Sequence, residues 1–100
     1  MKIAVFGDRH TVLGFSLAGI EGKVAGENAK ETLSEFMRNE ELGVLIITTG
    51  VAENLRTEVE YWKRQKNLPI VVEIPEFGKE VKEDRIRNLI KRAVGMEIKA

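Results

Sequence analysis

The chain begins with Met1-Lys-Ile-Ala-Val-Phe-Gly-Asp-Arg-His-Thr-Val-Leu-Gly-Phe-Ser-Leu-Ala-Gly-Ile20. An apolar run from Ile3 to Phe6 stops at Gly7-Asp8, and apolar residues then recur at helical spacing as far as Ile20. This pattern predicts a strand, a tight turn and a helix. Because the strand is apolar throughout, it is typical of the buried interior of a parallel sheet. The chain therefore opens as half of a βαβ unit.

The turn at Gly7 and Asp8 is the first candidate for a functional site, because parallel sheets bind ligands beyond the carboxyl ends of their strands. Asp8 argues against a phosphate there, since its carboxylate is placed to cap the helix and would repel an anion. The glycines also lack the spacing of a dinucleotide-binding motif, and the chain has no P-loop. We therefore predict that Gly7 and Asp8 form a structural turn and cap, without a cofactor.

After the first helix, the sequence predicts a short strand, a second helix and a central strand. We predict a short strand around residues 23–25, between two glycines. A helix should begin at Asn28, with Glu31 in the capping-box position, and stop at Gly43. Residues 44–47 are the most apolar segment and are rich in branched side chains, so they should form the central strand.

The next helix and strand have clearer limits. Apolar residues at helical spacing predict one helix over residues 51–66, with Trp62 in the core. Residues 70–74 should form a fourth strand, which Pro75 ends. Glu73 interrupts the apolar run of that strand, and this predicts a position at the edge of the sheet.

Alternating strands and helices indicate an α/β fold with a four-stranded parallel sheet, and right-handed crossovers limit how it can wind. We predict the strand order 2-1-3-4, as in flavodoxin-like and receiver-like folds. This order places the first helix on one face and the helices after strands two and three on the other. One face is then only partly covered, so a C-terminal helix could pack there or reach away from the domain.

The sequence predicts a Rossmann-like domain, residues 1–78, followed by a hinge and an amphipathic docking helix, residues 79–100. Net charge changes sign between them: residues 1–78 hold nine basic and twelve acidic side chains, and residues 79–100 hold seven and four. Beyond the hinge, apolar residues recur at helical spacing and are predicted to bind a partner. This C-terminal stripe consists of Ile86, Leu89, Ile90, Ala93 and Val94.

Composition argues against several functional classes. Sixteen basic and sixteen acidic side chains leave no net charge to recruit nucleic acid. The absence of cysteine excludes thiolate chemistry and suits a reducing interior, and a single histidine cannot supply a His-rich zinc site. We assign no metal site, although counting residues leaves open a carboxylate site for a hard cation. We expect a soluble protein, because no apolar run approaches the roughly twenty residues of a membrane span.

Three segments, in order along the chain, resemble a known family. They are the N-terminal run from Ile3 to Ile20, then Gly43-Val-Leu-Ile-Ile-Thr-Thr49, and then Leu68-Pro-Ile-Val-Val-Glu-Ile-Pro75 with Asp84-Arg-Ile-Arg-Asn-Leu-Ile-Lys-Arg-Ala-Val-Gly95 behind it. In these segments the chain resembles the F subunits of the archaeal and vacuolar-type (A-type/V-type) ATP synthases. It departs from the family pattern at His10, where members commonly carry an acid.

The resemblance implies a non-catalytic subunit of the central rotor stalk. Its implied partners are a D-type coiled-coil central shaft subunit, a neighbouring rotor subunit that links to the membrane ring, and the catalytic head subunits. The implied function is to help couple and regulate ATP hydrolysis or synthesis with ion transport. The implied location is cytoplasmic and peripheral, on the inner face of the cell membrane. The C-terminal stripe would then lie along the shaft.

Two other functions fit parts of the pattern. His10 follows the first strand, where a lone imidazole could accept phosphate in a phosphoryl-carrier protein. Arg9 and Thr11 could bind that phosphate, but Asp8 opposes it, and a single histidine in a polar turn is usually a solvated surface residue. A signalling receiver also opens with a strand and an acidic turn. Its aspartate nucleophile is missing here, since residues 48–49 are threonines.

Overall fold

A computed structural model describes residues 1–76, which form four strands and four helices. In chain order these elements are β1 (Lys2–Gly7), α1 (Arg9–Leu17), β2 (Glu21–Val24), α2 (Ala29–Arg38), β3 (Leu42–Thr48), α3 (Thr49–Asn54), α4 (Arg56–Gln65) and β4 (Ile70–Ile74). All strand pairs are parallel and the order is β2-β1-β3-β4. The predicted α/β fold and 2-1-3-4 order are therefore confirmed. The predicted C-terminal helix lies outside the described residues.

Strand β3 is the centre of the core, and all seven of its residues are buried. Its side chains alternate between two apolar clusters, because successive residues of a strand point to opposite faces. Leu45 and Ile47 belong to one cluster, and Val44 and Ile46 belong to the other. Both faces of β3 are thus apolar, which explains the uninterrupted apolar run in the sequence.

Different helices cover the two faces, as the strand order predicts. Leu33 of α2 and Val59 of α4 share the cluster of Leu45 and Ile47. Helix α1 lies on the opposite face and packs mainly against β1 and β2, with Phe15 fully buried. Within residues 1–76, α1 is the one helix whose side chains join this second cluster.

Strand β2 begins at Glu21, two residues earlier than expected. Helix α2 begins directly after Asn28, as predicted, but its capping differs from the prediction. The Asn28 side chain makes no capping hydrogen bond, so the predicted capping box with Glu31 is wrong. The Asn28 carbonyl instead accepts hydrogen bonds from the Thr32 backbone N–H and hydroxyl, both at 3.0 Å. Asn28 thus supports the first turn through its backbone.

The end of α2 also differs, because the helix stops at Arg38 and Gly43 lies inside β3. Asn39 explains the early stop. Its backbone is extended, with φ −77° and ψ 108°, and its side-chain Oδ1 accepts a hydrogen bond from the Glu41 N–H at 3.0 Å. Such local bonds let asparagine form a turn in place of a further helical turn.

The predicted helix over residues 51–66 is in fact two helices, α3 and α4. They meet at Leu55, whose φ of −114° and ψ of 27° are not helical. The Leu55 side chain is nevertheless buried in the same cluster as Val51 and Val59. Apolar spacing therefore continues across the break, and neither glycine nor proline marks it.

Trp62 and Glu73 lie near the margin of the core. Trp62 is half-buried rather than internal, and the Arg38 guanidinium carbon lies 5.7 Å from its ring centroid, within reach of a cation–π contact. Strand β4 is an edge strand, as Glu73 predicts. Glu73 accepts a hydrogen bond from Arg56 at 2.9 Å, which ties the edge strand to the start of α4.

Candidate functional site

The carboxyl ends of β1 and β3 meet where the strand order reverses, which is the usual ligand position in an open α/β sheet. Gly7 ends β1, and Asp8 is the N-cap of α1. One carboxylate oxygen, Oδ2, accepts a hydrogen bond from the Thr11 backbone N–H at 3.2 Å, and Oδ1 accepts one from the Thr11 hydroxyl. A carboxylate therefore occupies the end of α1 that would otherwise attract an anion.

The space beside Gly7 is filled by Thr48. A Cβ atom at Gly7 would lie 2.5 Å from Thr48 Cγ2, which is closer than atoms can pack. Thr48 is fully buried, and its hydroxyl has no hydrogen-bond partner in the part of the chain that the structure describes. Gly7 is thus required for packing between β1 and β3, rather than for the approach of a phosphate.

Replacing Thr48 by valine should stabilise the chain. Valine has a similar shape and removes a hydroxyl whose burial without a partner costs on the order of 1–3 kcal/mol. We expect the free energy of unfolding in urea to rise by about 1 kcal/mol. The control Thr48→Ser keeps the hydroxyl but loses a buried methyl group, so it should be about 1 kcal/mol less stable than the wild type. A valine variant less stable than the wild type would show that the hydroxyl is satisfied.

His10 lies in the first turn of α1 and is exposed, as is Arg9. The His10 side chain makes no hydrogen bond or ion pair within residues 1–76. Of the two groups that could bind a phosphate next to it, Thr11 is bonded to Asp8, so only Arg9 is left. No acid–base partner among these residues orients the imidazole, and this geometry does not favour a phosphoryl carrier.

Two grooves lie away from the carboxyl edge. One, of about 400 Å³, contains Lys66, whose Nζ donates a hydrogen bond to the Met37 carbonyl at 2.8 Å. The other, of about 380 Å³, lies between β2 and α2 and combines Glu21, Lys23 and Glu35. Neither groove is lined by a histidine, and the Thr32 hydroxyl in the second groove donates to the Asn28 backbone carbonyl rather than to a general base. Residues 1–76 also contain no cluster of three or more side chains suited to a metal ion, and none of their helices is long and apolar enough to cross a membrane.

The end of β4 is tied to the start of α3. The Thr49 hydroxyl donates to the Ile74 carbonyl at 3.1 Å, and the Gly50 N–H donates to Glu76 Oε2 at 2.6 Å. These bonds fix the direction of the chain at Glu76. Sequence reasoning missed them, because they join residues more than twenty positions apart and depend on the pairing of β3 with β4.

A second feature missed from the sequence is the outer face of α1. Leu13 and Leu17 belong to the apolar set that predicted this helix, yet they are 58% and 64% exposed. Val24, on the neighbouring strand β2, is 51% exposed. The available signal was that α1 carries apolar residues on more than one side, which is unusual for a surface helix.

The residues predicted to bind a partner lie outside the described residues. They are Ile86, Leu89, Ile90, Ala93 and Val94. The structure therefore places Gly7 and Asp8 at the carboxyl edge and leaves the C-terminal stripe as a prediction.

Comparisons with known proteins match both the described residues and much of the predicted C-terminal segment. A family model described as ATP synthase (F/14-kDa) subunit matches residues 3–90. The F subunit of the A-type ATP synthase of Thermococcus kodakarensis is 37% identical over 107 residues, covering 99% of each chain. Its counterpart in Methanocaldococcus jannaschii is 35% identical over 104 residues, covering 99% of this chain and 100% of that protein. In Methanothermobacter thermautotrophicus the identity is 39% over 102 residues, covering 97% and 95%. The chain therefore belongs to the ATP synthase (F/14-kDa) subunit family.

Proposed function

We propose that the chain is a non-catalytic subunit of the central rotor stalk of an A-type ATP synthase. In this role it binds the coiled-coil shaft subunit and helps couple and regulate ATP hydrolysis or synthesis with ion transport. The observation that carries the proposal is similarity over nearly the whole chain to proteins named as F subunits of A-type ATP synthases. The family match extends to residue 90 and so includes residues 79–90 of the predicted docking segment.

The geometry at the carboxyl edge supports a non-catalytic role. Asp8 caps α1 where a nucleotide phosphate would otherwise bind. Thr48 fills the space next to Gly7, where a phosphate-binding loop would need room. The His10 side chain is exposed and has no partner within residues 1–76. Described side chains at this edge thus complete the fold, and we assign no cofactor to them.

The predicted division of the chain into a domain and a C-terminal segment suggests how it would bind the shaft. Residues 1–78 are proposed to form the body of the subunit, and residues 79–100 are proposed to dock along the shaft through the C-terminal stripe. A helix of about fourteen residues is marginal alone in water, so its apolar stripe needs a surface that buries it. A coiled-coil shaft offers an apolar groove of that kind. The bonds of Thr49 to Ile74 and of Gly50 to Glu76 hold the end of the described part of the chain against the domain.

The other proposed neighbours follow from the same role. A subunit of the central stalk would contact the rotor subunit that links to the membrane ring, and regulation of hydrolysis would require contact with the catalytic head. The chain would then lie in the cytoplasm, at the inner face of the cell membrane.

Reconstitution of the ATP synthase without this chain tests the proposal. The catalytic head should still hydrolyse ATP, because the chain supplies no catalytic group, while ion transport per ATP hydrolysed should fall several-fold. Adding back the purified chain should restore transport, whereas adding a protein of similar size and charge should not. Full coupling in the absence of the chain would contradict the proposed role, and ATP hydrolysis by the purified chain alone would contradict its non-catalytic nature.

A further inference from the structure

Helix α1 presents an apolar surface away from the sheet. Thr11 and Phe15 face the core and are fully buried, and Leu13 and Leu17 face the opposite direction. Arg9 and His10 are also exposed, and α1 contains no acidic residue. The outer faces of α2 and α4, in contrast, mix acidic and basic side chains. Helix α1 is therefore the described helix whose outer face least resembles an ordinary solvated surface.

The spacing on this face fits another helix. His10, Leu13 and Leu17 are separated by three and then four residues, which is the repeat of a coiled-coil seam. Such a row packs into the groove of a second helix that crosses at a shallow angle. Helix α1 spans nine residues, or about 14 Å at 1.5 Å per residue, so its outer face can contact two to three turns of a partner.

The size of the patch identifies the kind of partner. Val24 lies on the same face of the sheet as α1, because it pairs with Gly7, two residues after buried Val5. Even with Val24 included, the patch consists of three partly exposed side chains. This is far below the ~800 Å² per partner of a stable binary interface. This patch is therefore too small to hold a second copy of the chain. It can bind a protein that is already attached elsewhere in the same complex, because that attachment raises the effective concentration of the protein at the patch.

We propose that the outer face of α1, formed by His10, Leu13 and Leu17, is a second docking surface for an amphipathic helix of a neighbouring subunit. That helix would place an apolar stripe on the two leucines and an acidic side chain near Arg9, the positive charge at the start of α1. This inference rests on the proposed function, because the ATP synthase complex supplies the neighbouring subunit. It adds a contact surface that is separate from the C-terminal stripe.

Photo-crosslinking in the assembled complex tests the inference. A benzoyl-phenylalanine replaces Leu17 in one variant and Tyr61 in another. Tyr61 is a matched control, because it is a large apolar residue on α4 that is 48% exposed. We expect position 17 to crosslink to a helix of a different subunit, with at least about tenfold higher yield than position 61. Crosslinks from position 17 that reach only a second copy of the chain, or none at all, would overturn the inference.

A second test measures how tightly the purified chain and its variants bind to the complex from which this chain has been left out. The double variant Leu13→Gln, Leu17→Gln should weaken binding at least about tenfold, as expected for central interface residues, and Tyr61→Gln should change it less than about twofold. Arg9→Glu should weaken binding several-fold, and Arg9→Lys should not. Because these side chains are exposed, thermal unfolding of the free variants should match the wild type. Wild-type binding by the double variant would overturn this inference alone, whereas failure of the wild-type chain to join the complex would overturn the proposed function.

Discussion

Replacing both Leu89 and Ile90 by aspartate should reduce the affinity of the chain for the purified shaft subunit by about a hundredfold or more. Both residues belong to the C-terminal stripe, so docking would transfer two carboxylates into an apolar groove at a cost of several kcal/mol. Isothermal titration calorimetry with the full-length chain measures the change. Deleting residues 79–100 should have a similar effect on binding and leave the remaining domain folded.

A charge-matched control separates docking from general electrostatics. Asn88→Asp together with Lys91→Gln also changes the net charge by −2, but both positions lie off the stripe. This control should bind within a few-fold of the wild type. The alternative location for the C-terminal segment is the α1 face of the sheet over β3 and β4, where Val44 and Ile46 lie. If Leu89→Asp, Ile90→Asp unfolds the free chain but binds the shaft at wild-type affinity, the stripe belongs to the domain core and the docking proposal is wrong.

Replacing Gly7 by alanine should destabilise the chain by about 2 kcal/mol, within the usual range for overpacking a core. The new Cβ would lie 2.5 Å from Thr48 Cγ2 and 3.1 Å from its hydroxyl oxygen. Thr48 cannot easily yield, because it is fully buried and a β-branched side chain has few rotamers. Urea denaturation of the full chain measures the loss. Gly26→Ala is the control, since a Cβ at Gly26 has no neighbour within 4 Å.

A double variant identifies the atom responsible. Thr48→Ser removes the methyl group that Gly7→Ala would meet. The two changes together should therefore cost less than the sum of their separate costs, by about 1 kcal/mol. Strict additivity would mean that the contact with Thr48 Cγ2 is not the cause of the loss.

Elements of the fold could be predicted from the sequence where the pattern of apolar and charged residues matches the burial of those residues in the structure. Residues 44–47 predicted the central strand because both faces of β3 are apolar, and Glu73 predicted the edge position of β4. The sequence did not reveal the break at Leu55, because its side chain keeps the apolar spacing while its backbone leaves helical geometry. It also suggested a capping box at Asn28, whereas the Asn28 carbonyl accepts hydrogen bonds from the Thr32 N–H and hydroxyl.

Functional surfaces were harder to predict than the fold. Asp8 could be placed as a helix cap because aspartate favours that position and Thr11 follows at the right distance. The exposure of Leu13 and Leu17 was missed, because apolar residues at helical spacing are normally interpreted as core, although apolar residues on more than one side of α1 argued against that interpretation. The bond between Gly50 and Glu76 needed the register of β3 and β4, which the sequence alone does not specify.

The most direct test of the proposed function is co-purification of the tagged full-length chain from native cell membranes, followed by quantitative mass spectrometry. We predict recovery of the coiled-coil shaft subunit in a ratio close to one to one, together with catalytic head subunits. The same preparation with Leu89→Asp and Ile90→Asp should recover far less of the shaft. Recovery of phosphoryl-transfer or signalling proteins without any ATP synthase subunit would contradict the proposed function.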